Sequence, residues 1–484
     1  MAQRRPLTPS PTTPKKRGRG GLRILIVLAV IVILVIAAIV TLGIVASADT
    51  AVGAVLTTYV PNSAVSHSGG AFTNATTGTL VNPGDQVRTD KNGRAQIQFP
   101  DGSITRLSNC TKISVDASHF ARSGHVHDIS INDKIGRTLT TVEHLVGGAS
   151  FNVVGNTTTA SVRGTMFEVL NNNDRSETGC PGPAAPKTQT NAVVIKLFRG
   201  SLEVSGKSGH VHLSEGQQVI VDPQGNIGNP GPIQPDPDDP FAQDVTAIND
   251  VTTDTTPGTE QDCIFSPLHN GETQSCSYSF AGGSALKAAL AYPGSLMTLR
   301  VTDPTGHITS KTGPSVIDIT LLNPPVGIYK LEAVGVSGIG PNGEEPFITV
   351  AAQEPCQTTN VEQNGAIRHS YVATDLENAV SIQGLSNLNV AVLGDTIGGA
   401  IITGTLSYNG ITLGGTLLVY PHGGNTSVIP LAATAFGLNI PPQQAGQQIS
   451  SALGQDPNNV SLGFDVERIF TCQNVLMIEG RTAT

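Results

Sequence analysis

The sequence predicts a mainly β fold: a single N-terminal transmembrane helix, followed by a large β-rich portion outside the membrane. Three observations carry this expectation. The stretch Ile24 to Ala46 holds no charged residue. The whole chain is sparse in charge, has no Trp and holds 54 Gly and 31 Pro, the composition of short strands joined by turns. Turn signals recur every 8 to 12 residues or so, the spacing of a sandwich, barrel or roll.

The first element is a polar tail, residues 1–22, rich in Pro, Thr, Ser and basic side chains. It is expected to be disordered and cytoplasmic. Residues 23–46 follow as the membrane helix. At about 1.5 Å per residue the uncharged run is roughly 35 Å long, enough for a hydrocarbon core of about 30 Å. Arg4, Arg5, Lys15, Lys16, Arg17, Arg19 and Arg23 precede or open the span, and the first acidic residue of the chain is Asp49. The positive-inside rule then places the tail in the cytoplasm and the bulk of the chain outside, making a single-pass cell-membrane protein. Ala46-Ser47-Ala48 has the form of a signal-peptide cleavage site, but the apolar run exceeds the usual length of about 7–15 residues, which favours an uncleaved anchor. All 37 acidic residues lie beyond the span. So acidic an exterior argues against nucleic acid as a partner.

Residues 52–222 read as a β domain. In Arg94 to Phe99, Ala95, Ile97 and Phe99 would line one face and Arg94, Gln96 and Gln98 the other. Asn92-Gly93 and Asp101-Gly102 are hairpin signals. Val193–Phe198 running through Arg199-Gly200 into Ser201–Val204 reads as another hairpin. The stretch Leu80 to Ser103, with Asn82-Pro83-Gly84-Asp85 and Pro100-Asp101-Gly102, resembles the opening of a FecR domain. Ser161-Val162-Arg163-Gly164-Thr165-Met166-Phe167-Glu168-Val169 resembles that family's most recognisable segment. Gly200–Val204 with Leu213–Val219 matches the third block in kind and order. The resemblance implies an extracytoplasmic β domain that senses or binds and does not catalyse. Siderophore regulators of the family engage a sigma factor through a cytoplasmic segment. The tail here is about twenty polar residues without apolar periodicity, so such an engagement is not expected of it.

Residues 223–259, with Pro235-Asp236-Pro237-Asp238-Asp239-Pro240, read as a Pro/Asp-rich linker lacking a core-forming pattern. Residues 260–354 read as a small β-sandwich, similar to modules appended to secreted bacterial proteases, with a turn at Asp303-Pro304-Thr305-Gly306. Residues 356–484 read as a β-rich C-terminal domain with a short helix between Leu431 and Leu453, broken at Pro441-Pro442. This part faintly resembles bacterial lipid-binding domains, with strands and a helix enclosing an apolar ligand.

Candidate site residues are few. H-E-x-x-H, G-x-S-x-G and EF-hand patterns are absent, so neither enzyme activity nor a cofactor is expected. Ser-Gly-His-Val-His occurs twice, placing His125 with His127, and His210 with His212, on common strand faces. If the two pairs met they could hold Zn²⁺ or Cu²⁺; an exposed polar face is the alternative. Arg163 is the candidate partner-binding residue, set against a structural role in pairing a buried acid. The six cysteines suggest disulfides in an oxidising compartment. Cys263 with Cys276, and Cys356 with Cys472, are candidate pairs because each pair falls within one proposed domain. The expected function is a non-enzymatic, membrane-anchored binding or signalling protein whose partner is an envelope protein, a cell-wall polymer or a glycan. The alternative is a lipid or small-ligand carrier acting through the C-terminal domain.

Overall fold

The computed structural model describes residues 49–483, apart from 60–61, 143–148, 163, 181, 183–189, 357–358, 379–384, 409, 436–437, 442–443, 448–449 and 451–454. The expected membrane helix at 23–46 lies outside the described residues. Among these, no helix is long and apolar enough to cross a membrane. The described chain is mainly β, with few and short helices.

The N-terminal unit is two sheets joined through one strand. Val126–Thr141 runs for 16 residues. Its first half pairs with Lys112–Phe120 and, in parallel, with Ser150–Gly155. Its second half pairs with Ile104–Leu107 and Met166–Asn171 in the other sheet. The crossing falls at Gly136, φ 97°, where a Cβ would stand 2.6 Å from the Cys110 carbonyl oxygen; only glycine fits there. The facing sides enclose a core that includes Leu56, Ile97, Phe99, Phe151, Phe167 and Leu197. Asp101-Gly102 does join a hairpin, Ala95–Gln98 with Ile104–Leu107. The other two expected hairpins are corners. Val193–Arg199 pairs with Met166–Asn171 and Gln217–Val221, whereas Ser201–Gly206 pairs with Thr158–Val162 and Gly209–Ser214. The chain therefore changes sheets at Gly200, as it does at Asn92-Gly93 between Gln86–Thr89 and Ala95–Gln98.

A second unit packs two four-stranded sheets face to face around Tyr278, Phe280, Leu299, Tyr329, Leu331 and Ile348. The Asp303–Gly306 turn links Leu296–Thr302 to Ile308–Gly313 as a hairpin, closed by the Gly306 N–H donating to the Asp303 carbonyl at 3.0 Å. The third unit pairs a four-stranded with a five-stranded sheet. Residues 431–435 and 438–440, expected to begin a helix, instead belong to the strands Asn425–Ala435 and Leu438–Ile440. Asn425–Ala435 pairs along Ile411–His422, and Pro430 sits beside the register shift at Thr416/Leu417, a place where a missing N–H is tolerated. Among the described residues of the expected helix, helical ones appear only after Pro441, at 444–447 and 450.

The segment read as a linker is folded. Asp244–Thr252 is a helix that buries Val245, Ala247, Ile248 and Val251. With Phe241 it forms an apolar cluster reaching Leu139 and Met166 of the first unit and Ile264, Ala289 and Phe347 of the second. The helix is thus the wedge between two units and not a spacer. The three units also do not extend outward in a row: Ile401, Leu418, Tyr420 and Leu431 of the third pack on Val52 and Phe120 of the first.

Three disulfides are present: Cys110–Cys180, Cys263–Cys276 and Cys356–Cys472. Cys356–Cys472 closes the longest loop, 116 residues. Replacing both of its cysteines with serine should remove about 2–4 kcal/mol of stability, read as a lower urea midpoint for the oxidised protein and no difference from wild type under reducing conditions.

Candidate functional site

The unit junctions are built from buried charges. Arg94 is 1% exposed and Arg106 0%, although Arg106 stands on a strand of the first unit and Arg94 directly before one. Arg94 donates to Asp244 Oδ2 at 2.9 Å, and Arg106 donates through Nε to Asp262 Oδ2 at 2.8 Å and through Nη2 to Glu260 Oε1 at 3.0 Å. Between the second and third units, Arg368 pairs with Glu354 and with Glu479, while Arg468 donates to Glu479 and to the Ser279 carbonyl. Burial and the neighbouring Glu479 charge push Glu354 well above the usual carboxylate range. Burial works the same way on Glu479, but Arg468 and Arg368 outweigh it and hold its pKa low. Glu354 is accordingly the carboxyl of the two that takes up a proton first. These pairs fix how the units sit against one another.

That fixed arrangement leaves a cavity of about 340 Å³ between the first and third units. Its apolar wall comes from Phe120, Val126, Leu393, Ile401 and Leu418, and its polar groups include Asp101, His125 and Asp395. Two tight turns of the first unit form one side. In the turn after Lys112–Phe120, the Gly124 N–H donates to the Ala121 carbonyl at 2.9 Å. Gly124 has φ 93°, and a Cβ there would lie 2.4 Å from Ile401 Cγ2. Arg122, in the same turn, donates to Asn439 Oδ1 at 3.0 Å. In the second turn, the Asp101 carboxylate accepts from the Ser103 N–H at 3.0 Å and the Ser103 hydroxyl at 2.8 Å. Burial raises its pKa despite those bonds. The site combines an apolar body with a few hydrogen-bonding groups, and its volume lies at the small end of the usual range for ligand pockets, about 300–1,000 Å³. Gly124→Ala should strain the turn and press on Ile401, lowering stability by about 1–3 kcal/mol; thermal melts with proteolysis at the unit boundary would show it.

Of the described candidate site residues, only His125 lines this cavity. Arg163 lies outside the described residues. The two histidine pairs do not meet. His125 and His127 stand at the start of Val126–Thr141, and His210 and His212 on Gly209–Ser214. The strands Ser150–Gly155, Thr158–Val162 and Ser201–Gly206 lie between them. Four steps of about 4.8 Å put the pairs roughly 19 Å apart, too far for one metal ion. His127 Nδ1 is 2.6 Å from Asp49 Oδ2, and the exposed His210 and His212 rings meet edge to face at 6.1 Å. Among the described residues no group of three or more His, Cys, Asp or Glu could hold a metal. The cavity itself had no signal in the sequence, because its two walls lie some 270 residues apart.

The fold and site define a mainly β protein of three interlocked units with a small inter-unit pocket. The FecR protein family matches residues 85–181, which include Ser161–Val169 and end before the third resembling block. No curated protein matches the chain. Among solved structures, a protein described as an anti-sigma factor from Parabacteroides distasonis ATCC 8503 is 18% identical; the match covers 34% of this chain and 63% of that one, with TM-score 0.25. A second structure with the same description gives 18% identity, the same coverage and TM-score 0.24. The propeptide form of Bacillus licheniformis lipase BlEst2 is 12% identical over 35% of this chain and 43% of that one, with TM-score 0.15. Likeness at this level decides nothing about function.

Proposed function

We propose that this chain is a non-enzymatic, membrane-anchored signalling and binding protein whose FecR-like unit faces an envelope protein, a cell-wall polymer or a glycan outside the cell. The family match over residues 85–181 carries the reading. The uncharged run Ile24–Ala46 with its basic flank supports the anchor and its orientation. Photo-crosslinking in intact cells from exposed Lys91 and Asn92 tests the partner: one discrete adduct is expected. No adduct, together with no retention on purified cell-wall sacculi, overturns the binding role. An amine reagent that cannot cross membranes should label Lys91 and Lys207 but not Lys15 or Lys16. A mature N-terminus at Asp49 would instead make the protein secreted.

The cavity favours a second reading, a carrier of a small apolar molecule. It places the pocket between the first and third units, not inside the C-terminal domain under a helix. Ile401→Trp would fill it. If mass spectrometry of organic extracts finds a compound bound to the wild type and lost from Ile401→Trp, the carrier reading gains; equal extracts from both remove it.

A further inference from the structure

One buried cluster is more than an ion pair. Glu168 on Met166–Asn171 and Lys196 on Val193–Arg199 are direct cross-strand partners, so their side chains rise side by side from one face of the sheet. Both are buried, with exposures of 0% and 4%. Asp239, from the segment that leads into the helix Asp244–Thr252, comes down on them. Its Oδ2 contacts Lys196 Nζ directly and lies 3.0 Å from Arg137 Nη1. Its other oxygen accepts the Phe241 N–H at 2.9 Å, which fixes the plane of the carboxyl group. Glu168 Oε1 is 3.1 Å from Lys196 Nζ and 2.7 Å from Arg137 Nη1. Arg137 is anchored from behind by Asp236 at 2.6 Å.

An amine, a carboxyl carbon and a carboxyl able to take up and return a proton are therefore held together out of water, with a guanidinium beside the oxygen that would gain charge. We propose that Lys196 and Asp239 become joined by an intramolecular isopeptide bond, with Glu168 carrying the protons.

The step balances without a co-reactant. In its ionised form Glu168 takes a proton from the Lys196 ammonium, and the freed lone pair attacks Asp239 Cγ. The C–N bond forms as the C=O π electrons move onto oxygen, next to Arg137. The tetrahedral carbon then collapses and one C–O bond breaks. The departing oxygen leaves as water, with the two protons that Nζ has given up, delivered through Glu168. Ammonium and carboxylate become amide and water, and Glu168 returns to its starting state.

Electrostatics fit these roles. Burial pushes Glu168 up to about 8, against the pull of Arg137 and Lys196, so it exchanges a proton near neutral pH. Burial opposes the charge on Lys196, but Glu168 and Asp239 outweigh it and raise its pKa. The nitrogen starts as ammonium and needs the base beside it. Fixed proximity replaces the chance encounter that amide formation otherwise requires. The bond would tie the wedge segment to the first unit and close a covalent loop between positions 43 residues apart.

The test is the mass of the full-length protein after disulfide reduction. The wild type should be lighter by one water than its sequence, and Lys196→Arg and Asp239→Ala should have full mass. Digestion with trypsin should give a branched peptide joining the Lys196 and Asp239 segments, uncleaved after Lys196. Full wild-type mass with cleavage after Lys196 leaves a plain salt bridge and overturns the proposal. Because the wild type decides this alone, a variant that fails to fold does not obscure it. Glu168→Gln should leave the bond largely unformed; complete formation in that variant overturns the role given to Glu168.

Discussion

Replacing Arg106 with alanine is expected to lower stability by about 3–5 kcal/mol, the usual result of removing one partner from a buried ion cluster. Arg106 bonds across the junction of the first and second units to Asp262 and Glu260, and within the first unit it donates through Nη1 to the Thr141 hydroxyl at 3.0 Å. Alanine leaves the Asp262 side chain, 1% exposed, beside the 17% exposed Glu260 with no cation between them. Two carboxylates cannot both stay ionised there, so either one takes up a proton or the junction opens to water. Urea unfolding would read this as a lower midpoint, or as a first transition in which the second unit separates before the rest. Asp262→Ala added to Arg106→Ala should recover part of the loss, since the orphaned charge is then gone. A loss below about 1 kcal/mol would mean that the carboxylates are already solvated and that the junction does not depend on the pair.

This junction also shows where the sequence is legible and where it stops. Alternation from Arg94 to Phe99 places Ala95, Ile97 and Phe99 in the core, and each is 0% exposed. The same alternation puts Arg94 and Gln96 on the opposite face, and they too are buried, at 1% and 6% exposed, because the wedge helix and the second unit cover that face. A period of two reports which side chains point the same way, not what lies beyond them. The acids of the Pro/Asp-rich stretch look like a solvated spacer on their own. Asp236, Asp239, Asp244, Glu260 and Asp262 make sense only beside Arg94, Arg106, Arg137 and Lys196, some 40 to 160 residues away in the chain. Glycine is ambiguous for a similar reason: Gly102 closes a hairpin while Gly93 and Gly200 turn the chain into the other sheet. Local composition also misleads where pairing decides, as in Asn425–Ala435, which is held as a strand by its partner Ile411–His422.

The second large effect concerns pH, and its sign is unusual. Burial pushes Asp244 up to about 6 from the ordinary 3.8, even though Arg94 draws it down. Between those values the folded protein binds more protons than the unfolded chain, so stability falls as pH rises and levels off above about 6. A shift of some two pKa units corresponds to about 3 kcal/mol at most. Glu168 adds the same sign over a higher window, from 4.5 to about 8. Asp239 acts oppositely: burial would raise its pKa, but Arg137 leads the groups that hold it below 3.8. Its stabilisation is present above that value and is lost only in stronger acid. The urea midpoint is therefore expected to peak in mild acid and to decline toward pH 8. Asp244→Asn should flatten the decline between pH 4 and 6 while leaving the part above pH 6 in place, because its amide cannot ionise. If the wild-type midpoint rises from pH 4 to 7, and Asp244→Asn does not change that, then Asp244 is solvated and the wedge helix does not seal the junction. A protein with this profile would be held together most firmly in mild acid, where Asp244 and Glu168 keep their protons and the paired arginines still face Asp262 and Asp239.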